Sequence, residues 1–393
     1  MRFITLGISL IIFLCTFSLK GEYSTYYKIL TLEIIANSID ISWFFQGMEE
    51  FKKTVTRNAF VKIIGVFLIF TIIKSQNDLI KYFMIYVISN LMGNVTLWLY
   101  LPKYIEKVKI SKLDIFKHLK PTVSLFIPQI AIQIYTVLDK TMIGMIIEDK
   151  SEVGFYEQAQ KTVKILLTIA TSLGTVMVPR MASTFACGDK EKLNEYMNKS
   201  FQFVLLLAFP LMFGIVSISN KFVPIFYGAG YDKVVHLINI ISPIIILIGL
   251  SNVIGTQYLL PTKKQKEFTI SVTIGAIVNF LLNSILIRLY YSIGASIATV
   301  IAEATVTSIQ FYFVRKQFSC LNIMRLSYKY FFAALIMFGA STIIGILISN
   351  NLASIIVQII TSIIVYFMIL IISKDELILE GIDRAKKLKK IEN

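Results

Sequence analysis

The chain has 393 residues, of which 56% are hydrophobic, and it carries a formal net charge of +15. Its mean hydropathy of +0.72 excludes an ordinary soluble globular domain. Twelve apolar runs are joined by mostly short loops, which leaves no room for a soluble catalytic domain. The sequence therefore predicts an all-α, polytopic membrane bundle of about twelve transmembrane helices.

The length of each apolar run sets the predicted crossings. A hydrocarbon core about 30 Å thick requires about 20 residues of helix per crossing. The first run has one flanking arginine and no small-residue cleavage site, so we expect a retained helix and not a removed signal peptide. The predicted crossings are 3–19, 29–45, 59–73, 79–101, 122–147, 163–184, 201–219, 235–260, 268–290, 293–314, 328–349 and 352–373.

The loops divide the chain into five segments. The longest loop is rich in lysine and separates four crossings from the eight that follow. In chain order we predict four helices, a basic cytoplasmic loop, six helices, two additional helices and a basic cytoplasmic tail, at 1–101, 102–121, 122–315, 316–373 and 374–393. Residues 384–390 of the tail are predicted to form a solvated helix.

Charge in the loops predicts the orientation. If the amino terminus faces the cytoplasm, most of the 39 lysines and arginines fall in loops on the cytoplasmic side. Both termini are therefore predicted to be cytoplasmic. The positive net charge is explained by these juxtamembrane cations, which meet anionic lipid headgroups, and nucleic-acid binding is not needed to explain it.

Polar residues inside the predicted spans recur at helical spacing. In the second crossing, Glu33, Asn37, Asp40 and Phe44 follow i, i+4, i+7 and i+11 and would share one face. Similar stripes occur on several other helices. Polar side chains can simply join helices, but so many stripes favour a hydrated central cavity. That cavity would hold the cations Lys62, Lys140 and Lys164 and the carboxylates Glu33, Asp40, Asp139 and Glu303.

Ionisable groups at membrane depth usually face a partner or a water-filled cavity. One hypothesis is that the lysines receive an anionic substrate while the carboxylates bind a coupling proton or cation. The alternative is that these residues form buried ion pairs with one another. For Glu33 and Asp40, a conformational or gating role is a further interpretation.

Catalytic and cofactor motifs are absent from the sequence. It contains no Walker loop, nucleophile elbow or HExxH pattern. The three cysteines are isolated and the two histidines lie far apart, so neither a metal site nor a disulfide is predicted. Gly228 and Gly230 are predicted to form a turn. We therefore predict no catalytic residue, no cofactor and no metal.

Two stretches carry a family resemblance. Residues 40–53, DISWFFQGMEEFKK, and residues 138–144, LDKTMIG, are the more specific, and VGFYEQA at 153–159 and Gly294-Ala295 followed by Glu303 add to them. In this order they resemble the bacterial polysaccharide transporter family, the flippases of O-antigen and capsule repeat units. That family belongs to the superfamily of multidrug/oligosaccharidyl-lipid/polysaccharide exporters. The motif positions are Asp40, Trp43, Gln46, Gly47 and Glu49 in the first stretch, and Asp139, Lys140 and Gly144 in the second.

The resemblance implies two six-helix lobes around a cationic cavity, alternating access, and a place in the bacterial cytoplasmic membrane. The implied substrate is an undecaprenyl-pyrophosphate-linked oligosaccharide. Membrane lipids, and the polymerase and glycosyltransferases of the same pathway, are the other implied partners. Since the family has six helices in its first lobe and this chain shows four, we expect an incomplete amino-terminal lobe that lacks the first two helices.

Two alternatives remain open. The first is a related exporter of drugs or of another lipid-linked substrate, such as the peptidoglycan precursor. The second is a membrane polymerase or glycosyltransferase of the same pathway, although such enzymes usually carry a large outer loop or a soluble domain.

Overall fold

The computed structural model describes residues 2–16, 24–75, 78–106, 119–318, 320–375 and 377–380. Within these ranges the regular secondary structure is helical, which confirms the predicted all-α class. A short 3₁₀ turn at Leu101–Lys103 and a π-helical segment at Asn252–Leu259 accompany the α-helices. The α-helices, α1 to α14, are Arg2–Thr16, Ser24–Ile39, Ser42–Gly47, Phe51–Ile72, Leu79–Trp98, Leu119–Ile146, Ser151–Thr171, Gly174–Ala186, Lys190–Phe226, Asp232–Ile241, Ile244–Ser251, Gln265–Val314, Cys320–Leu347 and Asn351–Ile372.

Several of these helices can cross a membrane. Among the described residues, seven helical stretches are long and apolar enough, or eight if α7 and α8, which meet at a 41° bend, form one span. The protein is therefore a multi-pass membrane protein, but the predicted number of twelve crossings is not confirmed. Two reasons are that α1 and α2 have only 15 and 16 residues, and that α12 contains two predicted crossings in one stretch.

The chain divides into two compact units, Met1–Lys120 and Pro121–Asn393. The first unit contains α1 to α5, with a small core of Ile41, Phe45 and Leu97 against which Phe44 and Tyr104 pack. The second unit contains most of the buried side chains of the described residues. The predicted tail helix and residues 107–118 of the lysine-rich loop lie outside the described residues.

The predicted second crossing is interrupted. Helix α2 ends at Ile39 and α3 begins at Ser42. The carboxylate of Asp40 accepts hydrogen bonds from the backbone N–H of Ser42 at 2.9 Å and from its hydroxyl at 2.8 Å. Such local side-chain bonds compete with the helical ladder and favour a turn. The single polar face predicted from Glu33 to Phe44 is therefore wrong beyond Asn37.

Two further predicted crossings are also broken. The crossing at 163–184 corresponds to α7, which already begins at Ser151, followed by α8 after a break at Ser172 and Leu173. The crossing at 235–260 consists of α10, α11 and the π-helical segment, with an interruption at Ser242 and Pro243. Apolar composition indicated these spans but not the backbone breaks inside them. Gly228 and Gly230, both with positive φ, lie between α9 and α10, as the predicted turn requires.

The last two long helices are held to α9 by polar contacts inside the second unit. The Gln358 amide donates to the backbone carbonyl of Ser341 at 2.9 Å and to that of Ser217 at 3.4 Å. The Tyr366 hydroxyl donates to the carbonyl of Leu206 at 2.8 Å. Since lipid gives helices little hydrophobic reason to associate, buried hydrogen bonds and close packing hold such helices together.

Helix α12 changes direction at Tyr291, which adopts a left-handed φ of 57°. Its 50 residues would measure about 75 Å if straight, more than twice the hydrocarbon thickness. Near this kink, a Cβ on Gly294 would collide with the backbone carbonyl of Leu286. Glycine at 294 therefore permits the close return of the chain after Tyr291.

We expect Gly294→Ala to lower the free energy of unfolding by about 1–2 kcal/mol, because the added methyl forces the backbone of the kink to shift. Thermal unfolding of the purified protein in detergent measures this change. The control is Gly214→Ala in α9, where a Cβ meets no other atom within 4 Å. Equal stability of the two variants would contradict the assigned role of Gly294.

Candidate functional site

A buried carboxylate lies where three helices of the second unit meet. Asp139, on α6, is only 1% exposed. Its carboxylate accepts hydrogen bonds from the hydroxyl of Tyr156 at 2.6 Å, the amide of Asn283 at 2.6 Å and the hydroxyl of Thr299 at 3.0 Å. Tyr156 belongs to α7, while Asn283 and Thr299 lie on opposite sides of the kink in α12. One side chain thus joins α6, α7 and both halves of α12.

A pair of asparagines extends this polar cluster. Asn279 and Asn283 are one helical turn apart and fully buried, and the Asn283 amide also donates to the Asn279 carbonyl oxygen at 3.0 Å. The Asn279 amide nitrogen and the Asn283 carbonyl oxygen are buried without a hydrogen-bond partner. Buried unpaired polar atoms are costly, so the cluster retains one unused donor and one unused acceptor beside Asp139, which a water molecule could pair.

Three of the predicted cavity charges line one cavity of about 350 Å³ in the second unit. Asp139, Lys164 and Glu303 face it, together with Gln160 and Thr299. Lys164 donates to the Gln160 side-chain oxygen at 3.2 Å, and the Gln160 amide donates to the Tyr156 hydroxyl at 3.3 Å. Since Tyr156 donates to Asp139, a chain of hydrogen bonds runs from the cavity lysine to the buried carboxylate.

Lys140, another of the predicted cavity lysines, follows Asp139 directly in the sequence, but its side chain contacts a different carboxylate. Its ammonium group pairs with the carboxylate of Glu157 on α7, and that carboxylate also contacts Lys161 at 3.2 Å. Sequence reasoning missed Glu157 because it placed residues 148–162 in a loop. The spacing of Glu157, Gln160, Lys161 and Lys164, at i, i+3, i+4 and i+7, would have indicated one helical face.

The remaining charged candidates belong to the first unit. Asp40 pairs with Arg57 at 3.6 Å, and Arg57 donates to Asn94 at 3.1 Å. Asn94 in turn donates to the backbone carbonyl of Ala36 at 2.7 Å, so this network joins α2, α4 and α5. The Arg57 side chain is only 11% exposed. Sequence reasoning had counted it as a cytoplasmic loop cation and missed the network.

The other predicted residues of the first unit have more open surroundings. Lys62 is exposed and Glu33 is partly buried. The motif residues Trp43, Gln46, Gly47 and Glu49 are exposed on α3 and on the turn that follows it, where Glu49 has a positive φ of 58°. In the second unit, the backbone carbonyl of Gly144 near the end of α6 accepts a hydrogen bond from Lys150 at 2.6 Å.

Sequence comparisons match both halves of the fold to known families. A family model described as "Polysaccharide biosynthesis protein" matches residues 1–185, and one described as "MatE" matches residues 125–286. The chain is 28% identical over 284 residues to the "Putative O-antigen transporter" of Escherichia coli (strain K12), which covers 72% of this chain and 68% of the relative. It is 33% identical over 143 residues to the "Lipid II flippase MurJ" of Bacillus subtilis (strain 168), covering 36% of this chain and 26% of that protein.

A solved structure shares the fold. The inward closed conformation of the lipid II flippase MurJ matches 90% of this chain and 73% of that chain, with a TM-score of 0.64 and 19% identity. At this identity the likeness shows the fold, that of a multi-pass helical membrane protein. The sequence is similar to polysaccharide biosynthesis proteins over residues 1–185, and to two proteins named putative O-antigen transporters over 72% of its length, as its motifs predicted. Its relatives are transporters and flippases and not enzymes.

Proposed function

We propose that this protein is a flippase that moves undecaprenyl-pyrophosphate-linked oligosaccharide repeat units across the cytoplasmic membrane by alternating access. The products would supply capsule or O-antigen biosynthesis. The observation that carries the proposal is the cavity in the second unit, where Lys164 lies beside Asp139 and Glu303 in a membrane protein. The O-antigen transporters among its relatives support the class of substrate.

The chemistry of such a substrate fits this cavity. A pyrophosphate and its sugars cannot cross hydrocarbon unaided, so they need a polar path that carries positive charge. A lysine ammonium is a mobile point charge that binds a phosphate and can release it again. The polyprenyl tail can remain in lipid throughout the movement.

We expect different residues to bind the substrate and to couple its movement to a proton or cation. We assign substrate binding to Lys62, Lys140 and Lys164, and coupling or gating to Glu33, Asp40, Asp139 and Glu303. Asp139 is the strongest coupling candidate because it is buried, contacts α7 and both halves of α12, and has unpaired amide atoms beside it. Gaining or losing a charge there would change contacts on all these helices at once.

The architecture of the proposal is a two-lobed bundle of about twelve crossings with an incomplete amino-terminal lobe and both termini in the cytoplasm. The length of α12, which its kink divides into two halves, supports counting it as two crossings. The division into two compact units supports two lobes.

A second candidate substrate is the lipid-linked precursor of peptidoglycan. The 33% identity to a lipid II flippase over 143 residues and the shared fold favour it. Both substrates present a polyprenyl pyrophosphate, so the residues assigned above would serve either one.

Expression of the chain in two bacterial strains tests the proposal. One strain lacks its O-antigen flippase, and the other is depleted of its lipid II flippase. We expect surface polysaccharide to return in the first strain and growth to remain impaired in the second. The opposite result would favour the peptidoglycan precursor. No rescue in either strain, with the protein present in the membrane, would contradict the proposal.

A further inference from the structure

The carboxylate of Glu157 has no place in the functions assigned so far. It lies on α7, one turn before the cavity residue Gln160 and two turns before Lys164, and it pairs with lysines on two sides. Lys140 reaches it from α6, and Lys161 reaches it from the next turn of α7. The side chain of Glu157 is 25% exposed, so it is neither deeply buried nor fully solvated.

Two lysines contact the single carboxylate of Glu157, so these three groups together carry one net positive charge. Lys164 lies within electrostatic range of Lys140 and Glu157 as well as Asp139 and Glu303. The Asp139 carboxylate accepts hydrogen bonds from three neutral donors. The carboxylate in direct contact with Lys140 and Lys161 is that of Glu157. Two ammonium groups converging on one anionic group can also bind a pyrophosphate through charge-assisted hydrogen bonds.

We propose that Glu157 is an internal stand-in for the substrate's pyrophosphate. In the empty carrier its carboxylate holds Lys140 and Lys161 together. An arriving polyprenyl pyrophosphate, which carries more negative charge than one carboxylate, takes over the two lysines and displaces Glu157. When the substrate is released, the Glu157 carboxylate pairs with Lys140 and Lys161 again, which lowers the free-energy cost of release.

This inference rests on the proposed function, and it makes Glu157 a specificity-determining residue. A ligand with a single negative charge gains little by exchanging with a carboxylate that is already in place. A pyrophosphate gains because it bridges both ammonium groups with more charge. The same competition keeps binding weak enough for turnover.

Glu157→Gln tests the inference in the purified full-length chain reconstituted in nanodiscs. The probe is geranylgeranyl pyrophosphate, with farnesol as the uncharged comparison. We expect the variant to bind the pyrophosphate about tenfold more tightly, a change of about 1.4 kcal/mol, and to bind farnesol as the wild type does. In transport assays the half-saturating concentration and the maximal rate should both fall, because release becomes slower.

Two further variants serve as controls. Glu157→Asp keeps the carboxylate and should restore affinity toward that of the wild type. Glu195→Gln removes one charge from an exposed pair with Lys199 on α9, at a Glu–Lys spacing equal to that of Glu157 and Lys161. If it also tightened binding, net charge alone would explain the effect and the inference would fail.

These measurements distinguish failure of the stand-in role from failure of the proposed substrate class. If Lys140→Met weakens pyrophosphate binding while Glu157→Gln leaves it unchanged or weakens it, the stand-in role is wrong and the proposed substrate class stands. If the wild type and all variants fail to bind the pyrophosphate, both the inference and the proposed substrate class are overturned.

Discussion

Replacing Asp139 with asparagine is expected to reduce translocation about 100-fold while leaving the protein folded in the membrane. Hydrogen bonds to a charged group contribute up to about 3 kcal/mol, which corresponds to about 100-fold in an equilibrium constant. Because Asp139 links α6 to α7 and to both halves of α12, we expect this free energy to differ between the states of the transport cycle.

The fold should tolerate asparagine at this position for a geometric reason. The new amide would face Asn283, whose carbonyl oxygen is buried without a partner. If the amides of Asn283 and Asn279 both rotate by half a turn, the Asn283 oxygen accepts from the new amide and from Asn279, while the Tyr156 and Thr299 hydroxyls keep an oxygen acceptor. Asp139→Leu would instead remove the acceptor that Tyr156, Asn283 and Thr299 share, so it should unfold or fail to accumulate.

The measurement is the rate of lipid movement in reconstituted vesicles, with thermal unfolding recorded on the same preparations. Glu195→Gln, in an exposed pair, should translocate at the wild-type rate. Wild-type translocation by Asp139→Asn would show that the charge of Asp139 is not needed for coupling.

The second large effect is expected at Asp40. Asp40→Ala should lower the free energy of unfolding by about 3 kcal/mol, because it removes the acceptor of the turn at Ser42 and leaves Arg57 without its carboxylate. Arg57 is nearly buried, so water cannot fully replace the lost partner. We therefore assign the first motif position a structural role at the break between α2 and α3, beside any gating role.

A double-mutant cycle isolates the ion pair. Asp40→Ala combined with Arg57→Met should cost about 1 kcal/mol less than the sum of the two single variants, as expected for residues in one network. The same cycle on the exposed pair Glu195 and Lys199 should give coupling of about 0.5 kcal/mol or less. Additive effects at Asp40 and Arg57 would mean that the two side chains do not stabilise each other.

Features that depend on periodicity and composition could be predicted from the sequence. Apolar runs located the helical regions, and charged residues inside the predicted spans indicated Asp139, Lys164 and Glu303, which line one cavity. Their assigned roles stay predictions. Lys62 is exposed in the first unit, and Lys140 is paired with a carboxylate that the sequence had placed in a loop.

The failures share a physical cause. Hydropathy sums over a window, so it does not register a side chain that bonds the backbone and ends a helix, as Asp40 does at Ser42. Hydropathy also placed Arg57 and Glu157 in loops, because a charged residue lowers the mean hydropathy of its window whether its side chain is solvated or ion-paired. The contacts of Arg57 come from other parts of the first unit. Glu157 lies in α7, and hydropathy placed the start of that helix too late.

The central claim is that this chain moves a polyprenyl-pyrophosphate-linked oligosaccharide between leaflets. The most direct measurement uses vesicles that contain the purified protein and a fluorescent undecaprenyl-pyrophosphate oligosaccharide, with a membrane-impermeant quencher outside. The account predicts that the protected inner-leaflet fraction falls with time in wild-type vesicles and stays nearly constant with Asp139→Asn. A wild-type rate equal to that of protein-free vesicles, for folded and correctly inserted protein, would contradict it.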